Sequence, residues 1–153
     1  MNSHNLILDT DPGIDDSMAI ALIANSPEIE LHSVTTVFGN GPVSVSTSNA
    51  LRVLDIVGME HVDVYEGANK PLLRKYHGGG AKVHGSDGLG ETALPASPRS
   101  AASGYAANHI VKSIMDDPGR FTLAAIGPLT NLATALCIEP RIADNVREVV
   151  IMG

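Results

Sequence analysis

The sequence predicts an α/β fold: an open, mostly parallel sheet with helices on both faces. Three observations carry this expectation. Short aliphatic and β-branched runs alternate along the chain with segments of helical apolar spacing. Hydrophobic residues make up 44% of the chain but aromatics only 3%, so the core must be built from Ala, Val, Ile and Leu, as in parallel sheets buried on both faces. The 153 residues suffice for one domain with a real core.

The elements follow in order. Asn5 to Leu8 reads as the first strand. Asp15 to Asn25 reads as a helix with Met18, Ala19, Leu22 and Ile23 spaced for a buried face, stopped by Ser26-Pro27. Glu30 to Phe38 is rich in β-branched residues and reads as the second strand, followed by the turn Gly39-Asn40-Gly41-Pro42. Val45 to Val57 has helical spacing and is closed by Gly58, and Val62 to Tyr65 is a short third strand. From Gly67 to Pro98 the periodicity fails: seven glycines, three prolines and two histidines fall there. An irregular stretch this long inside a compact domain is usually functional or mobile. Ala101 to Met115 reads as a helix, Phe121 to Ile126 as the fourth strand, Leu129 to Ile138 as a helix, and Val149 to Met152 as the fifth strand. The lone Cys137, in the helix before that last strand, is expected in the core. It allows no internal disulfide and fits a reducing compartment.

Composition narrows the partners. A net charge of −7 argues against a nucleic-acid backbone. No run reaches the roughly 18 apolar residues of a membrane helix, and the first residues lack a signal peptide's basic start and apolar core. No membrane partner and a cytoplasmic location are therefore expected.

Chemistry concentrates in one octapeptide. Leu6-Ile7-Leu8 runs directly into Asp9, Asp11, Asp15 and Asp16, with Pro12-Gly13 between the two pairs. Four acids so close repel one another unless a cation or a proton relieves them. A strand followed by a helix places them on the loop at the carboxyl end of the strand, where open α/β sheets bind ligands. Asp11 and Asp16 straddle the turn, and both can point into one site for a hard divalent cation. A helix N-cap accounts for Asp15 and Asp16 but leaves Asp9 and Asp11 unexplained. Gly13 stands too close to Asp9 and Asp11 for an EF-hand loop. Asn40 ends the second strand on the same edge, and its amide suits a sugar hydroxyl, although a plain turn residue is the other reading. Ile126 ends the fourth strand just before Gly127-Pro128, and its carbonyl can serve as a neutral cation ligand. His84, in Val83-His84-Gly85-Ser86-Asp87-Gly88, can meet a base or leaving group from the irregular segment; a solvent-exposed loop residue is the alternative. His4, His32, His61, His77 and His109 form no recognisable constellation.

With those residues in view, the chain resembles the inosine-uridine-preferring nucleoside hydrolases over nearly its whole length. Ile7 to Asp16 looks like that family's N-terminal aspartate signature, and Thr35 to Asn40 is similar to its second strand and turn. Lys70-Pro71-Leu72, His84-Gly85 with Gly88, Gly127 to Asn131, Glu139-Pro140-Arg141 and Val149 to Gly153 match in order. The blocks at Ile126 to Asn131 and at Val150 to Gly153 lean toward the broad-specificity ribonucleoside branch.

The resemblance implies a Rossmann-like core and hydrolysis of the N-glycosidic bond of ribonucleosides, in nucleoside catabolism or salvage. It implies Ca²⁺ held by Asp11, Asp16 and the Ile126 carbonyl, with Asp11 acting as general base on a calcium-bound water. Asp15 and Asn40 would hold the ribose hydroxyls, His84 would lie near the base and Met152 near the ribose, and Asp9 would brace the loop from behind. It further implies a homo-oligomer, dimer or tetramer, and a chain roughly twice this long. Residues 1–153 would then be the N-terminal part of a single nucleoside hydrolase domain, cut before a further calcium aspartate and the leaving-group acid. Two other readings stand beside it. One is a catalytically incomplete fragment, or a binding subunit that needs the missing half. The other is a metal-dependent phosphohydrolase, which would need a Lys or Arg aimed at phosphate that Gly39-Asn40 and Gly127-Pro128 do not supply.

Overall fold

Leu6, Ile7 and Leu8 are the centre of the molecule, and their alternation decides its architecture. In a strand successive side chains point to opposite faces. In the computed structural model, which describes residues 4–153, Leu6 and Leu8 pack into one apolar cluster and Ile7 into another. Both faces of the sheet are therefore covered, as expected. The strands are β1 (His4–Thr10), β2 (Ile29–Thr36), β3 (Asp63–Glu66), β4 (Phe121–Ala125) and β5 (Glu148–Ile151). All pair in parallel, in the order β3-β2-β1-β4-β5.

On one face lie α1 (Ile14–Ala24) and α2 (Val43–Ile56), which bury Ile20, Ile23, Leu51 and Leu54 against Leu6, Leu8, Val34 and Val64. On the other lie α4 (Ala106–Asp116), α5 (Thr130–Ile138) and the short α6 (Ile142–Asn145). There Ile110, Ile114, Leu132 and Ala135 close over Ile7 and Leu123. Full burial of each such aliphatic side chain stabilises the fold by about 1.5–3 kcal/mol. The β1–β2 ladder slips between Leu6↔Leu31 and Ile7↔Ser33, leaving His32 as a bulge residue. No helix among the described residues is long and apolar enough to cross a membrane.

Several sequence expectations need correction. The inward residues of α1 are Asp16, Ile20 and Ile23, whereas Met18 and Leu22 are each 69% exposed. Asp16 at the helix start is held inside by hydrogen bonds, and it fixes the rotation of α1 so that the Met18–Leu22 stripe turns outward. Cys137 is exposed rather than in the core, because α5 turns Leu132 and Ala135 inward and Cys137 falls on another side. The strand β1 continues to Thr10, so Asp9 belongs to the sheet and not to the loop. Conversely β2 stops at Thr36, although the Val37 and Phe38 N–H groups still donate to Thr10 O and Ala68 O.

The fourth helix starts at Ala106 and not at Ala101. The Ala102 N–H donates instead to Val64 O at the edge of β3, and Gly104 takes φ +113°, a conformation that no helix accepts. The irregular segment contains one short helix, α3 (Ala81–His84), with His84 at its end. The last strand is Glu148–Ile151, one residue earlier than expected. Val149, Val150 and Ile151 are exposed there.

Candidate active site

The sheet order places the loops after β1, β2 and β4 side by side. The chain leaves β1 toward β2 on one side, while β4 joins β1 on the other, and the crevice at that reversal is where such sheets bind ligands. Asp11, Asp15, Asp16, Asn40, Ile126 and Met152 line one open cleft of about 330 Å³ there, together with Gly127 and Pro128. Six of the residues singled out from sequence thus meet in one place. Asp9 lies beneath them, fully buried, and His84 borders the aspartate loop.

Each carboxylate is held by its own local structure. Asp16 sits in the first turn of α1, where it accepts from Thr10 Oγ1 at 2.5 Å and from the N–H of Gly13, the helix N-cap, at 3.1 Å. Oδ2 of Asp11 accepts the Asn40 N–H at 2.6 Å. Close approach is required at two glycines: a Cβ on Gly39 would stand 2.0 Å from Asp11 Oδ2, and one on Gly127 would stand 2.7 Å from Asp11 Oδ1. Asn40 grips both acids. Its Nδ2 donates to Asp11 O at 3.0 Å and, weakly, to Asp16 Oδ2 at 3.4 Å. Its Oδ1 faces Gly80 of the irregular segment, where a Cβ would come within 2.8 Å.

Burial pushes the Asp11 carboxyl up to about 7, against the Asn40 N–H that holds it down, and the charges of Asp16 and Asp15 add to the rise. Burial likewise raises Asp9 to about 6, against the hydrogen bonds of Asn131 and Thr35. Asp9 Oδ1 accepts from Thr35 Oγ1 at 2.6 Å and Asn131 Nδ2 at 2.8 Å, while its buried Oδ2 has no hydrogen-bond partner among the described residues. The Asp9 carbonyl accepts the Ile126 N–H at 2.9 Å, so this one residue ties β1 to the loop after β4.

A divalent cation fits this set. The available donors are oxygens, which hard cations prefer, and the charges of Asp16 and Asp15, which add to the rise that burial causes at Asp11, are ones a cation would offset. The set consists of two carboxylates and a backbone carbonyl; among the described residues no three or more His, Cys, Asp or Glu side chains converge as a metal cage. Asp15 is 69% exposed at its side chain and free to meet a ligand. His84 is only 12% exposed, with Nδ1 accepting the Ile14 N–H at 3.2 Å and lying 3.9 Å from Asp15 Oδ1. It is a seated residue and not a solvent-exposed one.

Sequence reading missed four supporting residues. Asn131, fully buried, donates to Asp9 Oδ1 and Thr36 O and accepts the Ala68 N–H. Thr10 and Thr35 hold Asp16 and Asp9. Tyr76 donates to Gly39 O at 3.1 Å. A signal existed for Asn131, a polar residue opening a helix directly after a buried strand. Away from the cleft, Tyr65 stacks on His109 at 3.7 Å, and His109 lies parallel to His32 at 5.9 Å, a grouping that sequence did not reveal.

The sequence pattern of the inosine-uridine preferring nucleoside hydrolase family matches residues 6–153. The inosine-uridine preferring nucleoside hydrolase of Crithidia fasciculata is 45% identical over 150 residues, covering 97% of this chain and 47% of that protein. Uridine nucleosidase 1 of Arabidopsis thaliana is 43% identical over 150 residues, covering 98% and 45%. Among solved structures, the purine-preferring ribonucleoside hydrolase from Gardnerella vaginalis superposes with a TM-score of 0.94 at 35% identity, over 97% of this chain and 48% of that one. The chain spans about half the length of the relatives it matches.

Proposed function

Because this chain belongs to the inosine-uridine preferring nucleoside hydrolase family, we propose that the whole protein hydrolyses the N-glycosidic bond of ribonucleosides to free base and ribose. The observation that carries the reading is the convergence of Asp11, Asp15, Asp16, Asn40 and Met152 on one cleft at the carboxyl ends of the strands, with Asp11 buried at its floor. A general base must stand within hydrogen-bond reach of the proton it removes, and Asp11, which lines the cleft, takes the proton from the attacking water. Asp15 and Asn40 hold the ribose hydroxyls, Met152 covers the sugar, and His84 stands on the side of the base. Breaking the bond develops an oxocarbenium-like charge on the ribose, as in glycoside hydrolysis, and the carboxylates beside the ring stabilise it. Asp9 keeps the strand ends in register.

Ca²⁺ is the cation that Asp11, Asp16 and the Ile126 carbonyl would hold, and when bound it would lower the pKa of water and orient it. The substrates are small ribonucleosides, met in the cytoplasm in nucleoside catabolism or salvage, by a dimer or tetramer of the whole protein. A phosphohydrolase is disfavoured, since among the described residues no Lys or Arg lines the cleft. The fragment reading keeps one observation in its favour: the chain covers only 47% of the Crithidia relative, so residues 1–153 alone are expected to bind weakly and turn over poorly.

The test is release of base and ribose from inosine, uridine, cytidine and adenosine by the whole protein, with Ca²⁺ and then with chelator. Turnover that the chelator removes, and that Asp11→Ala abolishes while the fold remains, supports the reading. Undiminished turnover by Asp11→Ala removes Asp11 from the reaction. Phosphate release from phosphomonoesters without free base would replace the reading by the phosphohydrolase.

A further inference from the structure

Asn49 is a buried polar residue that the reaction above leaves without a role. It lies on the inward face of α2 with Ser46, Ala50 and Val53, and it is 1% exposed. A buried amide is costly unless its protons are used. Those of Asn49 go to two backbone carbonyls far apart in sequence. Nδ2 donates to Pro12 O at 3.2 Å, inside the aspartate loop, and to Asp87 O at 2.9 Å, three residues after His84. Gly88, at φ +78°, lies so close that a Cβ there would stand 2.8 Å from Asn49 Nδ2. The segment from 84 to 90 is folded tightly enough to transmit this grip. Gly90 N–H donates to His84 O at 2.7 Å, Gly88 N–H to Gly85 O at 3.2 Å, and Leu89 N–H to Asp87 Oδ1 at 2.8 Å. The front of the irregular segment is tied separately, by Gly80 N–H to Asn40 O and by Tyr76 to Gly39 O.

We infer that Asn49 is a positioning residue that bolts the His84 turn to the aspartate loop and so sets the distance between the base side and the sugar side of the cleft. The inference rests on the nucleosidase reading for its second half only. His84 approaches Asp15 and Ile14 through one hydrogen bond and one longer contact, and Asn49 supplies the independent link behind them. A chain that kept the aspartates but lost this link would retain its sugar contacts while His84 drifted. Misplacement by about 1 Å costs an enzyme roughly 10² in rate, so the link matters even though Asn49 itself touches no ligand.

The experiment uses Asn49→Leu, similar in size and without donors, in the whole protein. Hydrogen exchange is read first, because it needs no substrate. Faster exchange at residues 84–90, with α4 and α5 unchanged as a check on the fold, is the expected result. Asn49→Ala, which removes the same donors without adding bulk, should give the same local pattern and guards against a misfolded Asn49→Leu variant. Nucleoside KM is read second. Asn49→Leu should raise it by about tenfold or more in the native background, yet by less than about twofold when His84→Ala is already present, since the two changes act through one element. Equal effects in both backgrounds would make Asn49 merely structural and overturn the inference. Unchanged exchange at 84–90 would overturn it whatever the turnover. A native protein inert toward every nucleoside, whose Asn49→Leu form still loosens 84–90, would keep the bolt and overturn the nucleosidase reading.

Discussion

Gly39→Ala is the sharpest single perturbation of the cleft, because it adds one carbon at the most crowded point. The new Cβ would stand 2.0 Å from Asp11 Oδ2, 2.7 Å from Asp11 Cγ and 3.0 Å from Pro128 Cδ. Ordinary contact needs about 3.5 Å, so the carboxylate must retreat by roughly 1.5 Å. That retreat breaks the hydrogen bond from the Asn40 N–H, now 2.6 Å long. A hydrogen bond to a charged group contributes roughly 1.5–3 kcal/mol, and displacement of a reacting group by about 1 Å costs roughly 10² in rate. Nucleoside kcat/KM of the whole protein should therefore fall at least about a hundredfold. Gly41→Ala is the control: its Cβ would meet only Val45, at 3.5 Å, and it should leave the rate nearly unchanged. Stability is followed in parallel by urea denaturation. A Gly39→Ala protein that keeps native kcat/KM would show that Asp11 need not occupy the position described, and the assignment of Asp11 as base would fail.

Three further outcomes are expected. Asn131→Ala takes one of two donors from Asp9 Oδ1, which keeps Thr35 Oγ1, and removes the Asn131 partners of Thr36 O and the Ala68 N–H; at about 1–3 kcal/mol for each of the latter two, urea denaturation should show a loss above about 2 kcal/mol, and a loss below about 1 kcal/mol would contradict the network. Ile20→Ala should cost about 2–5 kcal/mol, whereas Leu22→Glu on the outward stripe should stay within about 0.5 kcal/mol; the reverse order would overturn the rotation given for α1. His109 is held neutral by burial, with the neighbouring His32 and Lys112 adding to the effect and Asp63 opposing it, and its pKa falls from 6.5 to about 4. The unfolded chain thus binds the extra proton first, so this contribution is complete above about pH 6.5 and is lost as pH falls toward 4. Raised Asp9 and Asp11 act in the opposite sense, so the measurement is the difference between native protein and His109→Gln across that window, which should narrow as the pH drops; a constant difference would contradict it.

Much of this was legible in the sequence, for identifiable reasons. Apolar runs such as Leu6-Ile7-Leu8 can be buried on both faces only in a covered sheet, and the aspartate signature fixed the edge where chemistry would lie. Local chain direction is enough to bring Asp11, Asp16, Asn40, Ile126 and Met152 to the lining of one cleft. What stayed hidden depends on contacts between distant segments. The rotation of α1 follows from Thr10 and Gly13 holding Asp16 inward, which no apolar period reports. The late start of α4 follows from Ala102 bonding the edge of β3. Asn131 and Asn49 acquire their roles from carbonyls and carboxylates far away in the chain, and only their polar character at inward positions hinted at it.

Asp11 and Asp16, brought together around Pro12 and Gly13, are proposed to collect one doubly charged cation. The decisive experiment is calorimetric titration of Ca²⁺ into the whole protein, beside Asp16→Asn at the same pH. One saturable binding event in the native protein, weakened at least about tenfold in the variant, is the predicted result. Identical titrations of the two proteins, or no heat of binding in either, would contradict it.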